Sequence, residues 1–327
     1  MDIVRWGLLS TAHINRRLIP AIWAAPRGEL TAVASRDQAT ADAYAKKWNI
    51  HHAFSSYQAM LDSDLIDAVY IGLPNHLHAE WSIKAMQAGK HVLCEKPFAL
   101  TLDEVNGMIE TSQKTGRVLV EAFMYLFHPQ AKIARDWIRD GHIGEPLIIR
   151  SVFNYQMEGK VNVRLIPEYG GGSLWDVGVY PLSFAQFIFG GPPTAVNGFS
   201  VIGETGVDEI FIGQMIYPGG GLAQISSSFR SPYMIHAEII GNAGRLVLTR
   251  PFASMEDGRK MTFYPVDNPP FEIPVPDVEL YSGEVEAMHA AILDGVPPFL
   301  TLEETRNHIR TVLGLYESVK QCRTVEL

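Results

Sequence analysis

Two stretches of this chain carry side chains suited to moving a proton. One is Val92-Leu93-Cys94-Glu95-Lys96-Pro97, an apolar run that ends on an acid, a lysine and a proline. The other is Gly170-Gly171-Gly172-Ser173-Leu174-Trp175-Asp176-Val177-Gly178-Val179-Tyr180-Pro181. In an open parallel sheet, ligands sit beyond the carboxyl ends of the strands, so Lys96 at such an end stands at the mouth of a cofactor site. Proline fixes its own φ and drives the preceding lysine out of the helical region, so the charge is aimed by stiff backbone. Three glycines permit close backbone approach, and on an α-helix Asp176 and Tyr180, four apart, share a face. An acid and a phenol so placed can pass a proton between them. Each group alone also fits a plainer role: a solvated Lys96–Glu95 pair, or a core Tyr180 whose hydroxyl bonds Asp176. The surrounding elements weigh against those roles.

Val4–Leu9 reads as a buried strand, followed by the turn Ser10-Thr11-Ala12-His13-Ile14-Asn15 and a helical pattern from Ile14 to Trp23. Strand, tight turn and helix form the context of a dinucleotide fingerprint, although Ser10, Ala12 and Asn15 stand at its three glycine positions. Ser and Ala are small enough for a pyrophosphate to approach the helix N-terminus. A second strand, Leu30–Ser35, ends at Arg36-Asp37. An arginine there suits a 2′-phosphate and an acid suits the ribose hydroxyls, so Ser35-Arg36 favours NADP, with NAD as the alternative through Asp37. Ile66–Ile71 is a further buried strand running into Leu73-Pro74-Asn75-His76-Leu77-His78, where Pro74 marks a turn and His78 opens a helix near the cofactor. Thr101–Glu104 is a capping box opening a helix with Leu102, Val105 and Ile109 as its buried stripe. Arg117–Ala122 closes the series. Alternating strands and helices over residues 1–123 predict a doubly wound parallel sheet, a Rossmann domain.

From residue 124 to 327 the pattern changes. A helix is predicted over His128–Arg139, with Ile133, Trp137 and Ile138 as anchors, and a strand over Pro146–Tyr155. Long strands joined by glycine turns follow: 211–217 with 222–229, and 235–240 with 245–249. Pro265–Pro276 reads as a surface connection, and Thr301–Glu304 as a second capping box. The expectation is an α+β domain with a large, mainly antiparallel open sheet. If helices cover one face, a second subunit is the simplest cover for the other.

Composition narrows the function classes. The chain has 327 residues, which favours two domains, and a formal charge of −9 from 27 Lys+Arg against 36 Asp+Glu. That balance argues against nucleic acid or an anionic membrane as partner. No apolar run is long enough to span a bilayer, and Met1–Trp6 lacks the plan of a secretion signal, so a cytoplasmic location is expected. Two cysteines are too few for a disulfide scaffold, and no Cys/His cluster has metal spacing; no metal is expected.

Taken in order, the Arg5-Trp6-Gly7 strand with its Ser10-Thr11-Ala12 turn, Pro74-Asn75-His76-Leu77-His78, Glu95-Lys96-Pro97 and Gly170–Tyr180 resemble the glucose–fructose oxidoreductase / inositol dehydrogenase / MocA family. The likeness covers essentially the whole chain. It implies an N-terminal Rossmann domain binding NAD(P) and a C-terminal substrate domain whose open sheet often serves dimerisation, hence a homodimer or homotetramer. Many relatives carry His at the place of Tyr180. A tyrosine there resembles the branch of dimeric dihydrodiol dehydrogenase and NADP-dependent xylose dehydrogenase. In that branch the Tyr is the acid/base and the Lys of Glu-Lys-Pro assists it.

Carried over, those roles fall on Tyr180 and Lys96; Asp176 is expected beside them as a catalytic residue that orients the substrate hydroxyl or Lys96. Ser10, Thr11, Ala12, His13, Ile14, Ser35, Arg36, Leu73, Pro74, Asn75, His78, Glu95, Lys96 and Pro97 are expected around the cofactor. Lys96, Arg164, Trp175, Asp176 and Tyr180 would meet the substrate. The reaction is then hydride exchange between a nicotinamide and a secondary alcohol or carbonyl of a sugar, cyclic polyol or dihydrodiol. A phenol ordinarily titrates near ~10, and an ammonium beside it favours the phenolate. Lys96 would also stabilise a developing alkoxide. The alternatives are an NADP-binding sensor of the same fold, which needs neither Lys96 nor Tyr180, and a nucleotide-sugar ketoreductase.

Overall fold

The computed structural model describes residues 3–159, 162–253 and 258–327. It divides into two compact units, Met1–Phe127 with Glu279–Thr305, and His128–Val278 with Arg306–Leu327.

The first unit alternates β1 (Val4–Leu9), α1 (Asn15–Ala24), β2 (Gly28–Ala34), α2 (Gln38–Trp48), β3 (His52–Phe54), α3 (Tyr57–Leu61), β4 (Ala68–Ile71), α4 (His78–Gln87), β5 (His91–Glu95), α5 (Leu102–Thr115) and β6 (Leu119–Ala122), then adds the short α6 (Met124–Phe127). Its six strands are all parallel and lie in the order β3-β2-β1-β4-β5-β6. This is the Rossmann arrangement. Strand order reverses between β1 and β4, so the turns after these strands open side by side, where such sheets bind ligands. The strands are almost wholly apolar because helices cover both faces; Leu8, Val69, Val92 and Leu93 are fully buried. Asp37 caps α2, and Thr101 with Glu104 forms the expected capping box on α5. The buried stripe of α5 is Val105 and Met108, while Leu102 and Ile109 are half-buried; the helix packs beside α4.

The second unit begins with α7 (Pro129–Arg139) and β7 (Pro146–Asn154), and its helical centre is α8 (Val179–Phe189). Then come β8 (Ala195–Ile202), β9 (Asp208–Ile216), β10 (Leu222–Ser228), β11 (Met234–Gly241), β12 (Gly244–Thr249), β13 (Lys260–Pro265) and β14 (Phe271–Glu272). Nine strands, closed by β15 (Val325–Glu326), run in the order β14-β13-β12-β11-β7-β10-β9-β8-β15. All neighbours are antiparallel except β7 with β10. Both predicted hairpins form. The Pro265–Pro276 connection holds the two-residue strand β14, paired to β13. Of the predicted α7 anchors only Ile138 is buried; Ala131 and Ala134 complete that face. From Phe211 to Ile216 the side chains of β9 alternate, Phe211 and Met215 inward, Ile212 and Ile216 exposed.

The units do not coincide with the blocks 1–123 and 124–327. After the second sheet the chain returns, and α9 (Ser282–Leu293) packs on α1, α6 and β1 of the first unit. Trp6 Nε1 lies 2.9 Å from His289 Nε2. The last helix, α10 (Leu302–Gln321), begins in the first unit and continues in the second.

The return of α9 buries Glu284 completely, with neither carboxyl oxygen hydrogen-bonded among the described residues. Burial, then the charges of Glu95 and Glu279, push its pKa well above the ordinary 4.5. The folded chain thus keeps a proton that the unfolded chain releases, and stability falls as pH rises above the ordinary carboxyl range. Glu284→Gln should remove that slope. Thermal melts should give the variant a Tm higher by about 2 °C or more at pH 7.5, with the two proteins converging near pH ~4.

Candidate active site

In the first unit the turn after β1 is held by its own side chains. Ser10, at the first fingerprint position, has φ 123°, a region that favours glycine. Its Oγ donates to Gly72 O and accepts from Ala12 N, both at 3.2 Å, and Asn15 Nδ2 donates to Ser10 O at 2.9 Å. Two of the three residues replacing glycine therefore brace the turn. Thr11, Ala12 and Ile14 are half-buried, and His13 is exposed against the Arg16 guanidinium. Unlike α2 and α5, α1 starts with no side-chain cap, and its first turn carries no acid. A bare helix N-terminus fits the pyrophosphate of a dinucleotide.

At the end of β2, Ser35 is buried and Arg36 exposed. The Asp37 carboxylate accepts from Thr40 N at 2.8 Å, and its bonds to Thr40 hold its pKa below the usual range. The acid that would serve an NAD ribose is engaged in the helix, while the arginine suited to a 2′-phosphate stands in solvent.

Past β4, Leu73 is buried, and Pro74 and Asn75 are half-buried. His78 is fully buried, with Nδ1 2.8 Å from Pro97 O and Nε2 2.8 Å from Leu73 O. Burial holds its pKa below the ordinary value, and a neutral ring donates to one carbonyl at a time. The imidazole thus ties the turn after β4 to the segment after β5. Sequence placed it near the cofactor; its ring is taken up by main chain behind the turns.

Lys96 is half-buried and directly follows β5; its peptide to Pro97 is cis. On one side Glu95 accepts from the Tyr70 hydroxyl. Burial raises the Glu95 pKa and the Lys96 charge opposes the rise. On the other side Phe98 N donates to the buried Glu121 carboxylate at 3.1 Å. Both flanks of the lysine are thereby pinned to neighbouring strands.

In the second unit Gly171 N donates to Ile166 O at 3.0 Å, and Gly172 N to Arg164 O at 2.9 Å. This docking brings Arg164 to Asp176: Arg164 Nε and the Tyr155 hydroxyl both lie 2.8 Å from Asp176 Oδ2. The Arg164 side chain is 44% exposed and that of Asp176 only 12%. The Asp176 charge raises the Arg164 pKa, with Tyr155 and Tyr180 adding to it. Burial, then Asp176, raises that of Tyr155. Tyr180 is 5% exposed, its ring 5.3 Å from that of Phe153 and 5.8 Å from that of Phe252. Trp175 is buried with its ring 5.9 Å from that of Tyr316.

The expectation that Asp176 and Tyr180 share an α-helical face needs correcting. Leu174–Gly178 is a π-helical turn, and α8 starts only at Val179. The wider turn breaks the i, i+4 alignment. Tyr155 was missed as the phenol on Asp176; its signal was a tyrosine ending a strand beside the glycine-rich segment. Asp208 and Tyr316, which hold the start of that turn, were also missed. Among the described residues no group of three or more His, Cys, Asp or Glu could hold a metal ion. Cys94 and Cys322 are free thiols.

Residues 4–123 match the family model described as the oxidoreductase family with an NAD-binding Rossmann fold, and residues 132–247 match the GFO/IDH/MocA C-terminal domain. The chain belongs to the GFO/IDH/MocA oxidoreductases. As a member it is an NAD(P)-dependent dehydrogenase or reductase, and the sequence-based fold and family expectations hold. It is 35% identical to D-xylose 1-dehydrogenase (NADP(+)) 2 of Haloferax volcanii, over 98% of this chain and 99% of that protein. Its structure resembles an aldose-aldose oxidoreductase from Caulobacter crescentus solved with glycerol, with TM-score 0.92, 25% identity and coverage of 99% and 100%. It also resembles a 3-ketoreductase from Actinomadura kijaniata solved with NADP and TDP-benzene, with TM-score 0.91, 28% identity and coverage of 97% and 98%. No helix among the described residues is long and apolar enough to cross a membrane.

A side chain at position 171 would drive Cβ to 2.6 Å from Arg164 O and 2.7 Å from Ile166 O, both backbone atoms. Gly171→Ala should therefore cost about 2–4 kcal/mol in urea unfolding, by forcing apart two backbone segments that cannot yield cheaply.

Proposed function

We propose that this enzyme exchanges a hydride between NADP and a secondary alcohol or carbonyl of a sugar-like substrate, with Tyr180 passing the proton at the substrate oxygen and Lys96 assisting it. The bound nicotinamide supplies the hydride acceptor or donor. Tyr180 carries the reading: it is a phenol walled by Phe153 and Phe252, electrostatically linked to the Arg164 cation. The aromatic walls limit water around its hydroxyl, which strengthens every charge interaction there. Lys96 contributes a positive charge that favours the phenolate and an alkoxide. Asp176, bonded to both Arg164 and Tyr155, orients Arg164 toward the substrate and does not itself carry the proton. Trp175 and Arg164 contribute to substrate contact.

The cofactor is held by the Ser10–Ile14 turn and the α1 N-terminus at its pyrophosphate, and by Ser35 and Arg36 at the 2′-phosphate. Leu73, Pro74, Asn75, Glu95, Lys96 and Pro97 line the nicotinamide side, with His78 as their brace. Preference for NADP follows from the engaged Asp37 and the exposed Arg36. Two free cysteines accord with a reducing, cytoplasmic location.

The likeness to a ketoreductase solved with TDP-benzene favours a second reading, in which the sugar carries a nucleoside diphosphate. A panel of aldoses, inositols, dihydrodiols and nucleotide sugars, followed at the reduced-nicotinamide absorbance band, separates the two. With the best substrate, Lys96→Ala and Tyr180→Phe should each lower kcat by about a hundredfold or more. NADP affinity should be largely kept in the tyrosine variant. Near-normal turnover in both would refute the assignment, and binding without turnover of any substrate would leave a sensor.

The exposed side of the second sheet carries Phe199 opposite Ile212 and Ile216 opposite Leu222, each at least 40% exposed. This apolar face suits a second copy of the chain and supports a homodimer or homotetramer. Light scattering should give a multiple of the 36.3 kDa chain mass. The double change Phe199→Asp, Ile212→Asp should yield monomer; an unchanged mass in that variant rules this face out.

A further inference from the structure

The helical segment that carries Trp175, Asp176 and Tyr180 has no cap of its own. Ser173, at its head, already has helical dihedrals and makes no capping bond to the following amides. The need is met from strand β9. Asp208 Oδ2 accepts from Leu174 N at 2.9 Å and from Ser173 Oγ at 2.8 Å. Its Oδ1 accepts from the Tyr316 hydroxyl of α10 at 2.7 Å. The residue is 2% exposed. Ser173 Oγ also meets Ser227 Oγ of β10 at 3.0 Å. Two strands and a helix therefore converge on one helix start, with a carboxylate where the macrodipole favours negative charge.

The chain is shaped to admit this contact. Gly172 has φ +124°, and a Cβ there would lie 2.2 Å from Asp208 Oδ1 and 3.0 Å from the Tyr316 hydroxyl. Only glycine satisfies both the dihedral and the space. Downstream the first turn is π-helical, with one more residue per turn than an α-turn. Such a turn fixes which way the side chains beyond it point, and its start must be held for that register to persist.

We propose that Asp208, backed by Tyr316, is the positioning residue that sets the register of this segment and so aims Tyr180 and Asp176. It acts as a helix cap delivered from a neighbouring strand. The inference rests on the reading of Tyr180 as the proton-passing group. Burial raises the Asp208 pKa and its three donors pull against the rise, which accords with an engaged carboxylate.

Asp208→Asn places an amide among donors. It should lower kcat about tenfold or more, while KM for the substrate and Kd for NADP stay within about threefold. Amide hydrogen exchange over 172–180 should quicken. Tyr316→Phe removes one donor and should give a smaller kcat loss with the same split, and it stands in if the Asp208 variant does not fold. The double variant should be no worse than Asp208→Asn alone, since both act through one cap. The proposal is overturned by a kcat within twofold of wild type in Asp208→Asn, or in Tyr316→Phe where that variant stands in. Losses that multiply in the double variant also overturn it. Tyr180→Phe, measured alongside, separates the two readings. If it too retains turnover, the role of Tyr180 has failed; if it alone is crippled, only the positioning role has.

Discussion

Parallel pairing of β1, β4 and β5 is the constraint on which the rest of the first unit depends. Three apolar strands run side by side in one direction, so their carboxyl ends deliver Ser10, Gly72 and Lys96 to one edge of the sheet. Nothing in the local sequence of any one turn brings it to the others. Once there, short polar contacts lock them: Ser10 to Gly72, and His78 to both Leu73 and Pro97. A charged lysine at such an edge stays accessible without opening the core.

The second unit solves a different problem. A phenol and a carboxylate must be held on a helix that starts abruptly after glycines, against an open sheet. The helix start is satisfied by side chains from elsewhere in the unit, and Arg164 is drawn in by the glycine pair that docks on its backbone. Buried polar groups of this kind are specific because each has few partners, and losing one leaves the other unsatisfied. Glu284 is the counter-case, an acid buried without a hydrogen-bonded partner among the described residues where α9 returns to the first unit.

Local chemistry made much of this legible. β1 falls on the expected residues, and the capping boxes at Thr101 and Thr301 both form. The fingerprint turn was recognisable without its glycines, since Ser10 adopts a glycine-like backbone and Asn15 bonds back to it. The return of α9 was not legible. Its buried positions mix Glu284 and His289 with Val285, Met288 and Ala291, a pattern that carries no address for the core it joins. The π turn was hidden for a related reason: its sequence reads as an α-helix, and only tertiary bonds to Ser173 and Leu174 accompany the wider register.

The amino-acid order by itself determined the alternation of strands and helices, the parallel and antiparallel halves, and the family. These follow from periodicity and short motifs, which act over a few residues. Tertiary structure alone decided that Asp37 caps a helix, that His78 braces two turns, and that Asp176 holds Arg164 and Tyr155. A side chain with several competent partners is assigned by which of them folding brings within about 3 Å, a distance no local pattern encodes.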